Sequence, residues 1–184
     1  SDQNWVDVDT IIDEKTVKTT ALFIGRFQPF HQGHAAVLKR LVKLYSLVKI
    51  GIGSAQYSNT WANLLSFRER RAMIKILLKK EKILNVKVYG IPDVHDNKIW
   101  VEHVVRIVGG FTDVYSGNPL VIRLFQDKLF TVKKIKKIGN CSGTRIRAAM
   151  GLGRNVDRFV PSVVLAYLKK IGVFKRVRRI CRNL

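Results

Sequence analysis

The sequence predicts an α/β fold of the Rossmann-like, doubly wound type, in which helices cover both faces of one parallel sheet. From Thr20 onward, apolar strand-like runs alternate with helical patterns, the order of successive βαβ units. Polar and glycine-rich residues follow the predicted strands, where ligands bind in open α/β sheets. With 184 residues and 47% apolar content, the chain is predicted to form a single domain with a C-terminal helical segment.

The predicted strands are short apolar runs rich in β-branched and aromatic residues, and helical patterns separate them. The strands read TALFIG, LVKIGIG, NVKVYGI, FTDVYSG and LFTVKKI. The clearest helical patterns are HAAVLKRLVKLY and FRERRAMIKILLKK, and Ser66 with Glu69 predicts a capping box at the start of the second. In the first, the apolar positions near a helical period are Ala36, Leu38, Leu41, Val42 and Tyr45.

Charge and pattern set the two ends of the chain apart from its body. Residues 1–18 form an acidic N-terminal extension with five acids and two lysines, and the domain is predicted over residues 19–184. We expect the extension to dock on the rest of the chain or on a neighbouring subunit, away from the ligand site expected after the predicted strands. Within the domain, residues 160–184 are predicted as a C-terminal helix followed by the basic tail KRVRRICRNL.

The chain is strongly basic, with 34 Lys and Arg against 13 Asp and Glu and a formal net charge of +21. This balance indicates anionic partners but does not separate nucleotides from nucleic acid. A basic nucleic-acid-binding module is therefore an alternative function, favoured by the runs KKIKK and KRVRR. No aromatic signature of RNA-binding surfaces is interleaved with these runs, so nucleic acid is expected to bind only non-specifically.

A cytoplasmic location is predicted from the lack of membrane, export and disulfide signals. No apolar run reaches the roughly 18 residues of a membrane span, and the first residues are acidic where a signal peptide would be basic. Cys141 and Cys181 are too few for a disulfide framework. Because the remaining histidines and cysteines are scattered, no metal bound by the protein itself is predicted.

The stretch GRFQPFHQGH follows the first predicted strand and contains the first candidate site. Pro29 stiffens the loop, and Gly33 lets the backbone approach a ligand where a helix begins. His31 and His34 are three residues apart, so both imidazoles would project from one side and donate to phosphate oxygens. Arg26 could bind a phosphate with two N–H groups. A surface histidine pair and half of a zinc site are the alternatives.

A second helix start suited to phosphate lies late in the chain, at CSGTRIRAAM. Ser142 or Thr144 would cap this helix, and Arg147 would project from its first turn. The alternative is an ordinary capped helix with an arginine that faces solvent. Two such starts in one α/β domain favour phosphoryl or nucleotidyl transfer, which depends on positioning and on neutralising charge.

In combination these motifs resemble the archaeal type of nicotinamide mononucleotide adenylyltransferase, within the HxGH nucleotidyltransferase superfamily. The resemblance covers roughly residues 22–168 and rests on GRFQPFHQGH, GIGSAQ, IPD before NKIW, YSGNPLV and SGTRIR, in this order. It implies transfer of the adenylyl group of ATP to nicotinamide mononucleotide, giving NAD and pyrophosphate, with Mg2+ bound through the ATP phosphates. It also implies a homo-oligomer, in many members a hexamer.

The resemblance further implies roles for individual residues. His31, His34, Arg26 and Arg147 would be the catalytic residues that bind the ATP phosphates. Trp100 would stack on the nicotinamide ring through a cation–π interaction. The residues expected to contact the substrates are Phe27, Gln28, Gly33, Ser54, Asp93, Val94, Asn97, Trp100, Gly117, Asn118, Ser142 and Thr144. Of these, Ser54 is expected beside the adenosine, and Asp93, Val94 and Asn97 around the carboxamide and ribose of the mononucleotide.

The sequence departs from the family pattern in the loop after GSAQ, where residues 64–68 read LLSFR instead of Pro-Phe-Thr and small residues. We expect that loop to have a different shape. Cys141 stands where an isoleucine or an aromatic residue is common, and residues 1–18 have no counterpart. Another adenylyltransferase of the superfamily, acting on pantetheine phosphate or flavin, is the alternative, although Trp100 and YSGNPLV argue against it.

Overall fold

Five parallel strands form one sheet in the computed structural model, which describes residues 19–135 and 141–182. The strands are β1 (Thr20–Gly25), β2 (Leu47–Gly53), β3 (Val86–Ile91), β4 (Asp113–Ser116) and β5 (Thr131–Lys134). Their order across the sheet is β3-β2-β1-β4-β5, and every neighbouring pair is parallel. This topology confirms the predicted fold class, and the strand order reverses between β1 and β4.

Helices cover both faces of the sheet, as the alternating pattern predicts. Those within the described residues are α1 (Gln32–Leu44), α2 (Phe67–Lys80), α3 (Trp100–Val108), α4 (Pro119–Asp127), α5 (Gly143–Gly151), α6 (Ser162–Lys170) and α7 (Val173–Arg182). Helices α1, α2, α5, α6 and α7 pack in the larger core cluster on one face. Helices α3 and α4 pack in the smaller cluster on the other.

The central strand β1 supplies apolar side chains to both cores, because successive residues of a strand point to opposite faces. Phe23 joins the larger cluster, whereas Leu22 and Ile24 join the smaller one. None of the three side chains is more than 3% exposed. Burial on both faces fixes the register of β1 and therefore the position of the loop that follows Gly25.

Two details of the helices differ from the sequence prediction. The buried face of α1 begins at Ala35, and Ala36 is exposed, so the assignment of Ala36 to the apolar face is wrong. The prediction of a single C-terminal helix is also wrong, because the segment forms two helices, α6 and α7. Gly172, with a φ of 74°, lies between them. The basic tail is helical as far as Arg182.

The C-terminal helix α7 is tied to the start of α2 by a two-pronged ion pair. Arg176 donates to both carboxylate oxygens of Glu69, at 2.8 and 2.7 Å, and to the carbonyl oxygen of Leu64 at 3.2 Å. Glu69 also accepts from the backbone N–H of Ser66, whose side chain accepts from the N–H of Glu69, so the predicted capping box is present. Burial would raise the pKa of Glu69, but the hydrogen bonds from Arg176 and Ser66 lower it.

The predicted docking of the acidic extension falls on residues 1–18, which lie outside the described residues. Within the described part of the chain, no helix is long and apolar enough to cross a membrane.

Candidate active site

A cavity of about 590 Å³ opens at the carboxyl ends of β1, β2 and β4, next to the point where the strand order reverses. Ligands of open α/β sheets bind at this position. The first residues of α1, α3, α4 and α5 line the cavity, so four helix N-termini face it. The positive dipole ends of these helices, and the N–H groups of their first turns that no cap pairs, favour an anionic ligand.

Nearly all residues predicted for the site line this cavity. They are Arg26, Phe27, Gln28, His31, Gly33, His34, Ser54, Asp93, Asn97, Trp100, Gly117, Asn118, Ser142, Thr144 and Arg147. Val94 is the exception, because among the described residues the cavity wall includes Asp93 and His95 but not Val94. The sequence did not single out His95, Asp96 or the apolar residues Leu120, Val121, Leu124 and Ile135 for the site, and these also line the cavity.

His31 and His34 form a reciprocal cap at the start of α1. The backbone N–H of His34 donates to Nδ1 of His31 at 3.4 Å, and the N–H of His31 donates to Nδ1 of His34 at 3.3 Å. The rings stack, with centroids 3.7 Å apart. A Cβ atom at Gly33 would lie 3.0 Å from Cε1 of His31, so glycine leaves room for this ring.

The reciprocal cap fixes which nitrogen of each imidazole carries the proton. Because both Nδ1 atoms accept hydrogen bonds, each neutral ring carries its proton on Nε2. Burial lowers the pKa of His31 to about 4. Burial also lowers the pKa of His34 well below its ordinary value, and the neighbouring His31 adds to the effect. At neutral pH the pair is uncharged and has two Nε2–H groups to donate.

Arg147 connects α5 to the loop after β1. Its Nη1 donates to the carbonyl oxygen of Gln28 at 2.7 Å, and its Nη2 lies 3.4 Å from the hydroxyl oxygen of Thr144. Only 4% of Arg147 is exposed, so the surface arginine considered as an alternative is wrong. Burial and the nearby Arg26 lower the pKa of Arg147 to about 10, and the guanidinium stays charged at neutral pH.

The glycine of the SGT turn permits this close approach. A Cβ atom at Gly143 would lie 2.8 Å from the carbonyl oxygen of Gln28, which is too close for any side chain. Ser142, not Thr144, is the N-cap of α5, and its hydroxyl accepts from the N–H of Arg145 at 3.3 Å. The two predicted phosphate-binding helix starts are therefore in direct contact across Gln28.

The side chain of Gln28 fastens the same loop to the segment before α2. Its amide nitrogen donates to the carbonyl oxygen of Leu65 at 2.9 Å, and its amide oxygen accepts from the N–H of Leu65 at 2.8 Å. Only 4% of Gln28 is exposed. The atypical segment LLSFR thus joins the site through its backbone, which any residue at position 65 other than proline could provide.

Arg70 is the main structural residue of the site that the sequence analysis missed. It is fully buried, and its guanidinium donates to the carbonyl oxygens of Arg26 at 3.0 Å, Gly53 at 2.7 Å and Ser54 at 3.0 Å, and to that of Ser66 at 3.3 Å. Burial, with a smaller contribution from Arg26, lowers its pKa to about 10, so Arg70 remains charged. It joins the carboxyl ends of β1 and β2.

A sequence signal for Arg70 was available. Met73, Ile74 and Leu77 follow it at spacings of three, four and seven, so Arg70 lies on the apolar face of α2. A charged residue at such a position is either paired or hydrogen-bonded. Within the described residues, no carboxylate lies at ion-pair distance of Arg70, and its partners include the carbonyl groups of the loops after β1 and β2.

Ser54 and Asp93 were expected beside different parts of the substrates but lie together. The hydroxyl of Ser54 donates to Oδ2 of Asp93 at 2.8 Å. Gln56 exchanges two hydrogen bonds with the backbone of Asp93, at 2.9 and 3.0 Å. The loops after β2 and β3 therefore form one wall of the cavity.

Trp100 and Asn118 lie at the N-terminal ends of α3 and α4, respectively. Trp100 is the first residue of α3 and packs edge-on against Phe125, with centroids 5.7 Å apart, while also lining the cavity. It therefore contributes to the core and remains available to a ligand. Asn118 caps α4 by accepting from the N–H of Leu120 at 3.0 Å.

The buried histidine pair predicts a specific pH dependence of stability. Above about pH 6.5, His31 is neutral in both the folded and the unfolded chain and contributes no difference. As the pH falls to about 4, the unfolded chain takes up a proton that the folded chain does not. The free energy of unfolding should then fall by about 1.4 kcal/mol per pH unit, or about 3 kcal/mol in all.

His31→Asn is the matched variant, because asparagine keeps a cap acceptor but does not titrate. Urea unfolding at several pH values should give the wild type a steeper loss of stability between pH 6.5 and 4 than this variant shows. Equal slopes for the two proteins would contradict a buried neutral His31.

Comparison with known proteins identifies the family of the chain. Residues 22–149 match the Cytidylyltransferase-like family. The chain is 38% identical to the nicotinamide-nucleotide adenylyltransferase of Thermoplasma volcanium, over 91% of this chain and 95% of that protein. It is 40% identical to the protein of the same name from Archaeoglobus fulgidus, over 87% of this chain and 96% of that one.

Among solved structures, the fold is similar to that of a bifunctional NMN adenylyltransferase/ADP ribose pyrophosphatase from Francisella tularensis, complexed with AMP and a manganese ion. The TM-score is 0.73 at 21% identity, and the alignment covers 90% of this chain and 53% of that one, so this chain spans about half of its length. The fold similarity alone does not identify the family, but the family match and the two archaeal relatives do. The chain belongs to the Cytidylyltransferase-like family and, within it, to the nicotinamide-nucleotide adenylyltransferases.

Proposed function

We propose that the chain transfers the adenylyl group of ATP to nicotinamide mononucleotide, giving NAD and pyrophosphate. One observation carries the proposal: a neutral histidine pair, the N-terminus of α1 and Arg147 meet in one cavity at the switch point of the sheet. Two relatives named nicotinamide-nucleotide adenylyltransferase, at 38% and 40% identity, support the proposal. The alignments cover nearly the whole length of both relatives.

In the proposed reaction, a phosphate oxygen of the mononucleotide attacks the α-phosphorus of ATP. One P–O bond forms, the bond to the β-phosphate bridging oxygen breaks, and pyrophosphate leaves with that electron pair. A nucleophile of such low basicity is already ionised at neutral pH, so the chain has no need of a general base. Its work is to align the two phosphates and to stabilise the negative charge that develops between them.

His31 and His34 are assigned to that charge. The reciprocal cap holds both rings in place, so their Nε2–H groups need no rearrangement during the reaction. Because the rings are neutral, the chain does not incur the cost of burying an imidazolium cation. Arg26, which is exposed at the cavity mouth, and Arg147, which is buried in its wall, are assigned to the phosphates. The positive ends of α1 and α5 add to the same field.

The mononucleotide is assigned to the part of the cavity formed by Asp93, Asn97 and Trp100. The cationic pyridinium ring would stack on the indole of Trp100, and such contacts contribute roughly 0.5 to 2 kcal/mol. Because Ser54 is hydrogen-bonded to Asp93, we assign Ser54 to the mononucleotide part of the cavity instead of the adenosine part. Gly117 and Asn118 lie at the start of α4 and are assigned to the substrates from that side.

Mg2+ is assigned to the ATP phosphates and not to a site of the protein. No group of three or more His, Cys, Asp or Glu side chains that could hold a metal occurs in the described parts of the chain. A divalent cation carried by the nucleotide would reduce the charge on its phosphates. A homo-oligomer, with a hexamer as one form, remains a prediction of the resemblance. The cytoplasmic location remains a prediction from the lack of membrane, export and disulfide signals in the sequence.

The decisive assay follows NAD and pyrophosphate formation by the purified chain with ATP and Mg2+. Nicotinamide mononucleotide, nicotinic acid mononucleotide, pantetheine phosphate and flavin mononucleotide should be supplied in turn as acceptors. We expect NAD from the first, with one pyrophosphate released for each NAD. Adenylylation of pantetheine phosphate or flavin mononucleotide without NAD formation would overturn the acceptor, and no adenylylation at all would overturn the reaction.

Replacing His34 by alanine should lower kcat by about 100- to 1,000-fold and change the mononucleotide Kd little. Donors that strengthen as charge develops in the transition state have effects of this size. His103→Ala is the control, because His103 contacts the carbonyl oxygen of Pro92 and does not line the cavity wall formed by the described residues. A kcat loss of less than about tenfold for His34→Ala would remove the assigned role.

A further inference from the structure

Trp61 lies in the loop between β2 and α2 and has no role in the proposed mechanism so far. The centroid of its indole ring lies 5.3 Å from Cζ of Arg147, within the roughly 6 Å range of a cation–π contact. Trp61 is partly buried and packs against the larger core cluster. Among the described residues, Arg147 lines the cavity and Trp61 does not, so the indole contacts the guanidinium from outside the cavity.

Hydrogen bonds alone leave the guanidinium of Arg147 poorly fixed. Nη1 has one short bond to the carbonyl oxygen of Gln28, whereas Nη2 has only a 3.4 Å contact with Thr144. Nε is buried and has no hydrogen-bond partner among the described residues. The group therefore retains donors for a ligand but needs another contact to set the direction of its plane.

An aromatic ring provides such a contact without using any N–H group. A guanidinium stacks on an aromatic face through its plane, and its donors stay at the edge. A carboxylate in the same place would occupy two donors and cancel the charge that a phosphate requires. The structure thus places an aromatic ring beside a buried, charged arginine, where the ring does not compete with an anion for its donors.

We infer that Trp61 is a positioning residue for ATP: it holds the guanidinium of Arg147 with its free donors toward the cavity. The inference rests on the proposed function, in which Arg147 binds the ATP phosphates. It assigns a task to the loop of residues 54–66, in which the sequence departs from its family pattern. Trp61 would touch neither substrate and would act only through Arg147.

The test measures the Kd of ATP by titration calorimetry and the two KM values for Trp61→Leu and Trp61→Phe. Loss of one cation–π contact corresponds to about a three- to tenfold change in affinity. We expect Trp61→Leu to raise the Kd and KM of ATP by that factor, with the mononucleotide KM within about twofold of wild type. Trp61→Phe, which keeps an aromatic face, should recover most of the loss.

Tyr57→Leu is the matched control, because Tyr57 is an aromatic residue of the same loop whose hydroxyl contacts His95 at 2.8 Å. The Kd of ATP for this variant should be close to that of wild type. An equal rise for Tyr57→Leu and Trp61→Leu would show that the loop as a whole matters, and would overturn the specific role of Trp61.

A double-mutant cycle with Arg147→Met separates positioning from packing. If Trp61 acts through Arg147, adding Trp61→Leu to Arg147→Met should not weaken ATP binding further. Additive losses, or a Trp61→Leu variant that binds ATP like wild type, would overturn the inference.

Calorimetry keeps this result apart from the proposed function, because it needs no turnover. If the wild type binds ATP but forms no NAD, the proposed reaction is wrong. The Kd values of ATP for the variants would still test the coupling between Trp61 and Arg147. If the wild type does not bind ATP, both the reaction and the inference fail.

Discussion

The arrangement of the site depends on one buried cation, Arg70, that is held by carbonyl groups and not by a carboxylate. Its guanidinium joins the backbone after β1, at Arg26, to the backbone after β2, at Gly53 and Ser54. Hydrogen bonds to charged groups are each worth about 1.5 to 3 kcal/mol, and leaving their buried carbonyls unpaired is costly. Arg70 therefore sets the spacing of the two loops that follow β1 and β2 and line the cavity.

From this base, a chain of contacts reaches the C-terminal helices. Gln28 joins the loop after β1 to the segment before α2 through its side chain, and its carbonyl oxygen receives Arg147 from α5. Arg176 on α7 holds that same segment through Glu69 and the carbonyl oxygen of Leu64. The helices after residue 141 are thus connected to the cavity wall, whereas the sequence analysis predicted residues 160–184 only as a C-terminal helix followed by a basic tail.

Local patterns predicted the elements and most of the cavity wall, because burial and helix capping leave clear signals in neighbouring residues. The parallel sheet followed from alternating apolar runs, and the position of His31, His34 and Ser142 followed from the helix starts. The position of Arg70 on the apolar face of α2 predicts that its charge is buried, but the sequence does not predict which groups are its partners. Trp61 left no signal in the sequence, because its contact with Arg147 joins positions far apart in the chain. The separation of Val94 from the cavity likewise depends on how one loop turns.

The most direct test of this account is the ATP affinity of Arg70→Lys, measured by titration calorimetry beside Arg71→Lys. Arg71 is the exposed neighbour of Arg70, so the pair of variants differs in burial and not in chemistry. Lysine keeps the charge but cannot span several carbonyl groups with a planar fork. The account predicts at least about tenfold weaker ATP binding for Arg70→Lys, with helical content retained by circular dichroism, and no change for Arg71→Lys. Wild-type ATP affinity in a folded Arg70→Lys protein would contradict it.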